Sequence, residues 1–208
     1  MAELINPWAS FSLDYDKLVN QFGIGKISDI IDDINDPQLL MKRGVIFGHR
    51  EFDEINKLIN QNKDFAVVTG MMPSGQMHIG HKMVVDQLKW YQNMGAMLSL
   101  PIADLESYAA RGMSFEKGRQ IAVDEYLTNW IALGLDLEKD NVNVYLQSQN
   151  KQLQDLAFKA SSKTNFSQLK AIYGFENSTN IAHVQAPLFQ VADILLPQIE
   201  EFGGPYRR

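Results

Sequence analysis

Between residues 65 and 147 short apolar runs alternate in order with amphipathic stretches, and nothing else in the chain constrains its fold as tightly. "FAVVT" (65–69) is a nearly continuous apolar run, the pattern of a strand buried on both faces. Residues 70–77 form a loop, and a helix follows to about Met94, with Val84, Leu88 and Tyr91 at i, i+4 and i+7 and Gly95 as its stop. "AMLSLPIAD" (96–104) reads as a second strand, although Pro101 has no N–H to give a ladder. A second helix runs from the N-cap Ser114 to Leu133; Ala122, Tyr126, Trp130 and Leu133 make its buried stripe, and Gly134 closes it. "VNVYLQ" (142–147) is a third strand. This order implies an α/β fold with a parallel sheet and right-handed crossovers, half of a dinucleotide-binding architecture. Ligands of such sheets collect at the carboxyl ends of the strands.

The flanks are helical in pattern. The first ~60 residues read as short polar helices broken by "NDP" (35–37) and Gly44. "DYDKLVNQFG" places Tyr15, Leu18, Val19 and Phe22 at helical spacing and stops at Gly23; "DEINKLINQ" (53–61) does the same with Ile55, Leu58 and Ile59. This divides the chain into a helical appendage, 1–62, and an α/β domain, 63–208. From 150 onward helical patterns dominate: "KQLQDLAFKASS", "NFSQLKAIYGF" and "PLFQVADILLPQI". The 208 residues are enough for a full core, and 45% hydrophobic with 21% charged residues is a folded, soluble composition. A net charge of −6 excludes a broadly basic nucleic-acid binder while leaving room for a local basic patch. The chain has no cysteine, which removes disulfides and thiolate metal sites. It has no apolar run long enough to span a membrane and no secretory pattern at its start, so a cytoplasmic location is expected.

The loop before the first long helix holds the chemistry. "PSGQMHIGH" (73–81) carries two of the chain's four histidines. A metal pair, two incidental histidines and a grip on phosphate compete for it. An H-x-x-H metal site needs a third ligand, and His49 and His183 are far away in sequence. The loop joins a strand's carboxyl end to a helix N-terminus, which offers unpaired N–H groups and about half a positive charge. His78 and His81, one turn apart, can both donate to phosphate oxygens. Gly70, Gly75 and Gly80 allow close backbone approach, and Gly80 leaves a flat place for a purine. The stretch reads as a nucleotide grip.

"HIGH" behind "PSG" resembles the first signature of class I aminoacyl-tRNA synthetases, and "TGMMPSGQMHIGHKM" resembles their tryptophanyl and tyrosyl branch. "NPWASFSLDYDKL", "KRGVIFGHREFDEI", "ADLESYAARG", "FSQLKAIYGF" and "LFQVADILLPQIEEFGG" are similar, in order and spacing, to tryptophanyl-tRNA synthetases of the archaeal and eukaryotic type. The resemblance implies a Rossmann-like, HUP-type catalytic domain with a helical insertion. It also implies ATP-driven activation of tryptophan to tryptophanyl-adenylate, with magnesium accompanying the phosphates, then transfer to tRNA(Trp), in a homodimer. His78 and His81 match the catalytic signature histidines. Gly70, Pro73, Ser74 and Gly80 match the ATP-binding loop.

Glu106 and Gln190 match positions that read tryptophan. Glu106 also has an independent physical case, because indole N–H is a donor only and needs an acceptor. Its alternative is a solvated carboxylate. Gln190 and Asp193, three apart on one helix, suit an ammonium group; their alternative is a polar face in water. Asp104 and Tyr108 lie in the same pocket segment, with packing as the other role for Tyr108. Val68 stands where some relatives carry tyrosine, so one pocket wall differs. The family's lysine-rich second signature does not occur in residues 1–208. We therefore expect the parent protein to continue past Arg208, and the catalytic domain here to be incomplete at its C-terminal end. A tyrosyl enzyme, a related nucleotidylyltransferase and a non-catalytic binding module are the alternatives.

Overall fold

A computed structural model of the chain describes Val19 and residues 23–199. The helix expected around Tyr15, Leu18 and Phe22 and the segments "NPWASFSLDYDKL" and "FGGPYRR" lie outside the described residues. The chain divides into two compact units, 1–63 and 64–208.

The first unit is not purely helical. Strands β1 (Gly25–Lys26) and β2 (Gly48–His49) pair antiparallel, with Gly25 opposite His49. A Cβ on Gly25 would stand 2.7 Å from His49 Nε2, so a larger residue there would push the His49 ring aside. The unit's described residues also form two 3-10 turns (Ile27–Asp29 and Ile31–Asp33), a short helix α1 (Leu39–Lys42) and the helix α2 (Phe52–Asn60). The buried face of α2 is centred on Phe52 and Asn56, with Ile55, Leu58 and Ile59 half-buried beside it. Asn56 is tolerated inside because its Nδ2 donates to the Asp33 carbonyl at 2.9 Å.

The second unit carries the parallel sheet. Strands β3 (Ala66–Val68), β4 (Met97–Ile102) and β5 (Val142–Leu146) lie in the order β3-β4-β5, all parallel. Every residue of β4 is buried, and Leu98 and Leu100 are fully so. Each such leucine contributes roughly 1.5–3 kcal/mol by leaving water. The expectation that residues 65–69 are buried on both faces is corrected: Phe65 is buried, but Ala66–Val68 are half-buried, because β4 pairs with β3 on one side only among the described residues. Pro101 sits inside the central strand, opposite Tyr145. Its carbonyl points to the β3 side, where Met71 N donates to it at 3.2 Å. Its missing N–H therefore falls on the side where β3 has already ended at Val68.

Helix α3 (Ile79–Asn93) connects β3 to β4. Its buried stripe is Val85, Leu88 and Gln92, whereas Val84 and Tyr91 are half-buried. Gln92 takes a core position because its amide serves both backbone groups of Asp136, donating at 2.7 Å and accepting at 3.1 Å. The segment after β4 is a helix that the sequence pattern did not reveal, α4 (Asp104–Arg111). The long crossover to β5 begins at Ser114, whose hydroxyl accepts from Lys117 N. It runs as α5 (Phe115–Ile121), a π-helical segment (Ala122–Leu127) and α6 (Thr128–Ala132). Ala122, Tyr126 and Trp130 are buried as expected, but Leu133 is half-buried and Leu135 replaces it in the core. Gly134, at φ +88°, turns the chain there.

Beyond β5 come α7 (Lys151–Ser161), α8 (Phe166–Tyr173) and α9 (Ile181–Leu195). Leu153, Leu156 and Ala157 of α7 pack on Ala192 of α9 and on Leu196, forming a second small core over the Tyr145 side of the sheet. No described helix is long and apolar enough to cross a membrane.

Candidate active site

The loop from Gly70 to Met77 is fixed at three points before α3 begins. Met71 extends the ladder, accepting from Ala103 N at 3.0 Å. Ser107 Oγ on α4 donates to the Pro73 carbonyl at 2.7 Å, and Tyr126 OH in the π segment donates to the Met72 carbonyl at 3.2 Å. Pro73 is buried, while Ser74 is exposed. A Cβ on Gly70 would stand 3.2 Å from both the Pro101 carbonyl and its ring, so close approach to β4 asks for glycine. Val68, at the end of β3, is half-buried.

His78 is the N-cap of α3, and His81 is its third helical residue. His78 Nδ1 accepts from Gly80 N at 3.1 Å, and His81 Nδ1 accepts from His78 N at 3.2 Å. This is a capping box built from two imidazoles. An accepting Nδ1 fixes the neutral ring in its Nε2–H form. Both rings therefore keep an Nε2–H to donate elsewhere. Their centroids are 4.0 Å apart, and the His81 ring meets Tyr126 edge-on at 5.4 Å. Burial, and then the neighbouring His78, lower the His81 pKa below its ordinary 6.5. Gly80 is half-buried, and a Cβ there would lie 3.0 Å from His78 Cε1. Among the described residues no group of three His, Asp or Glu side chains is arranged to hold a metal ion.

A second constellation lies where α4 and α9 meet the end of β5. Asp193 is buried, and both of its oxygens are engaged: Oδ1 accepts from Tyr145 OH at 2.8 Å and Oδ2 from Gln147 Nε2 at 2.7 Å. Burial raises the Asp193 pKa to about 6; the Tyr145 and Gln147 bonds pull it down, and Glu106 pushes it up. Burial, then Asp193, push the Tyr145 hydroxyl well above its usual range. Glu106 thus lies within electrostatic reach of Asp193 while itself exposed on α4. Gln190 and Asp193 do not share one environment, since Gln190 is exposed. Tyr108 is exposed and stacks on Phe115, centroids 4.8 Å apart and 17° from parallel. Asp104 is buried, and its carboxylate accepts from both the backbone N–H and the hydroxyl of Ser148, tying α4 to the end of β5.

Gln147 was not legible as a site residue. It is 4% exposed, its Nε2 is held by Asp193, and its Oε1 is buried without a partner. A glutamine at a strand end gives no sequence signal; only the fold brings Asp193 to it, 46 residues on.

A parallel α/β sheet with a donor pair on a helix N-terminus at a strand's carboxyl end is the arrangement of a nucleotide-binding fold. The chain belongs to the family of tRNA synthetases class I (W and Y), whose family model matches residues 60–203. It is 53% identical over 202 residues to the tryptophan–tRNA ligase of Methanocaldococcus jannaschii, covering 97% of this chain and 54% of that protein. It is 45% identical to the tryptophan–tRNA ligase of Methanosarcina acetivorans, covering 97% and 46%. The crystal structure of tryptophanyl-tRNA synthetase from Aeropyrum pernix superposes with a TM-score of 0.82 at 40% identity, covering 92% of this chain and 52% of that one. The chain thus spans about half the length of the curated relatives it matches.

Proposed function

We propose that this chain is the amino-acid-activating portion of a tryptophan–tRNA ligase. The observation that carries the reading is the imidazole capping box, which uses both Nδ1 atoms internally and leaves two Nε2–H donors at a helix N-terminus. The names of the similar proteins favour tryptophan over tyrosine. They also disfavour the nucleotidylyltransferase and binding-module alternatives.

In this reading ATP lies along the loop at Gly70, Pro73 and Ser74, with its purine over Gly80. The tryptophan carboxylate attacks the α-phosphorus in line, forming the acyl–phosphate bond as the bond to pyrophosphate breaks. His78 and His81 donate to the phosphate oxygens on which charge grows, and being neutral they do so without gaining or losing a proton. Magnesium would neutralise the phosphates; the described residues provide no carboxylate cage for it, so it would be held by ATP itself. Glu106 accepts the indole N–H, Val68 and Tyr108 bound the pocket, and Gln190 meets the ammonium group. Asp193, with both oxygens occupied, acts on the ammonium through its buried charge. The adenylate then passes its aminoacyl group to tRNA(Trp). A homodimer is part of the proposal, favoured by the exposed Phe158 on α7 and Ile194 on α9.

Calorimetric binding of tryptophan, tyrosine and ATP, with amino-acid-dependent exchange of pyrophosphate into ATP, tests this. Tryptophan should bind and drive exchange where tyrosine does not. Tyrosine dependence would point to the sister enzyme, and ATP binding without either amino acid to a nucleotidylyltransferase.

A further inference from the structure

The crossover between β4 and β5 borders a second cleft, of about 610 Å³, which shares Tyr145 with the Asp193 constellation but whose other lining residues take no part in the reading above. Its lining is part apolar, from Ile102 at the end of β4, Val144 and Leu146 on β5, and Val123 and Leu127 on the π segment, and part polar, from Gln149 onward to the start of α7. Two cations line it, Arg119 and Lys151. Arg119 lines the cleft, and its Nε is buried without a hydrogen-bond partner. Among the described residues no carboxylate lines the cleft to answer it. The other polar contribution is the start of α7, an eleven-residue helix whose first residues, Asn150 to Gln152, form the rim. Lys151 there is already paired with Asp155 at 2.9 Å.

The physical tension is plain. A buried donor without an acceptor is costly, and a charged one more so. A helix N-terminus adds roughly half a positive charge to the same pole. Apolar side chains beside a cationic, polar end are the make-up of a small-molecule site, and its volume falls in the usual range. The π-helical turn that forms one wall is itself a feature concentrated at functional sites.

We propose that this cleft binds an amphipathic monoanion: an apolar body carrying one terminal carboxylate or phosphate, with the anion against Arg119 and the start of α7. The geometry places the anion where Arg119 and the start of α7 meet, and the apolar body against Ile102, Leu127 and Val144.

The test uses octanoate, octyl phosphate and 1-octanol as probes, with calorimetry and methyl NMR on the 208-residue chain. Either anion should bind about tenfold or more tightly than the alcohol, the factor expected for one charge-assisted hydrogen bond. Comparing octanoate with octyl phosphate tells which head group the pole prefers. Arg119→Leu should erase that preference and leave octanol binding unchanged, while Arg119→Lys should keep part of it. Leu127→Asp should weaken all three probes, with circular dichroism checking that each variant is folded. The shifted methyl signals should be those of Leu127, Val144 and Leu146. Equal affinity for octanoate and octanol, an anion preference that survives Arg119→Leu, or shifts confined to residues 70–81 would each overturn the proposal.

Discussion

Replacing Asp193 with asparagine should make the 64–208 unit more stable at neutral pH, although it removes a charge that accepts two hydrogen bonds. The reason is burial. The folded pKa is raised from the ordinary 3.8 to about 6, so the folded state holds a proton more tightly than the unfolded chain does. A carboxyl shifted in this direction contributes most below the unfolded pKa, and that contribution is lost as pH rises through the folded one. The window is therefore about pH 4 to 6. The gap between 3.8 and about 6 corresponds to a cost of about 3 kcal/mol once Asp193 is charged. Asparagine mimics the neutral acid: Tyr145 OH can turn to accept from its amide, and its oxygen still takes Gln147 Nε2. Urea unfolding of both proteins, followed by tryptophan fluorescence at half-unit intervals from pH 4 to 7.5, isolates the effect as a difference. Near pH 4 the two should be equally stable, and near pH 7 the variant should lead by about 2–3 kcal/mol. A difference that is constant across the range, or a variant less stable throughout, would refute the argument.

The other expectations concern binding and rate. Tryptophan affinity should rise as pH passes upward through about 6, where Asp193 becomes charged, and then level off; calorimetry between pH 5 and 8 reads it, and a flat profile would separate Asp193 from the ammonium group. In a protein active in pyrophosphate exchange, His81→Ala should slow adenylate formation about 10²–10³-fold with tryptophan binding nearly intact. A matching fall in tryptophan affinity would place His81 in the wrong pocket. Glu106→Gln should blunt the preference for tryptophan over tyrosine less than Glu106→Ala does, because its amide still offers an oxygen; kinetics with both amino acids give the order. Gly80→Ala should push the exposed His78 ring aside, because the new Cβ would lie 3.0 Å from it, and weaken ATP binding about tenfold while the helix persists. A nitrogen-15 imidazole spectrum unchanged by that substitution would contradict the capping geometry.

What the sequence determined by itself was whatever rests on local pattern. Short apolar runs and the period-3.6 stretches between them marked three strands and the helices, their alternation implied a parallel sheet, and Ser114 and Gly134 marked the ends of the second helix. The histidine pair was legible because its partners are its own neighbours: Gly80 N and His78 N lie within three residues. The fold decided whatever depends on distant partners. Gln92 occupies a core position that periodicity assigned to Tyr91, because Asp136 lies across from it. Gly25 sits against His49 across a two-residue ladder that no pattern announces. Gln190 and Asp193 read as equals on one helix, yet one faces water and the other is buried under Tyr145 and Gln147. Periodicity reports only which side of a helix a residue is on. The depth of that side, and the partners waiting there, are set by the elements packed against it, and these come from far along the chain.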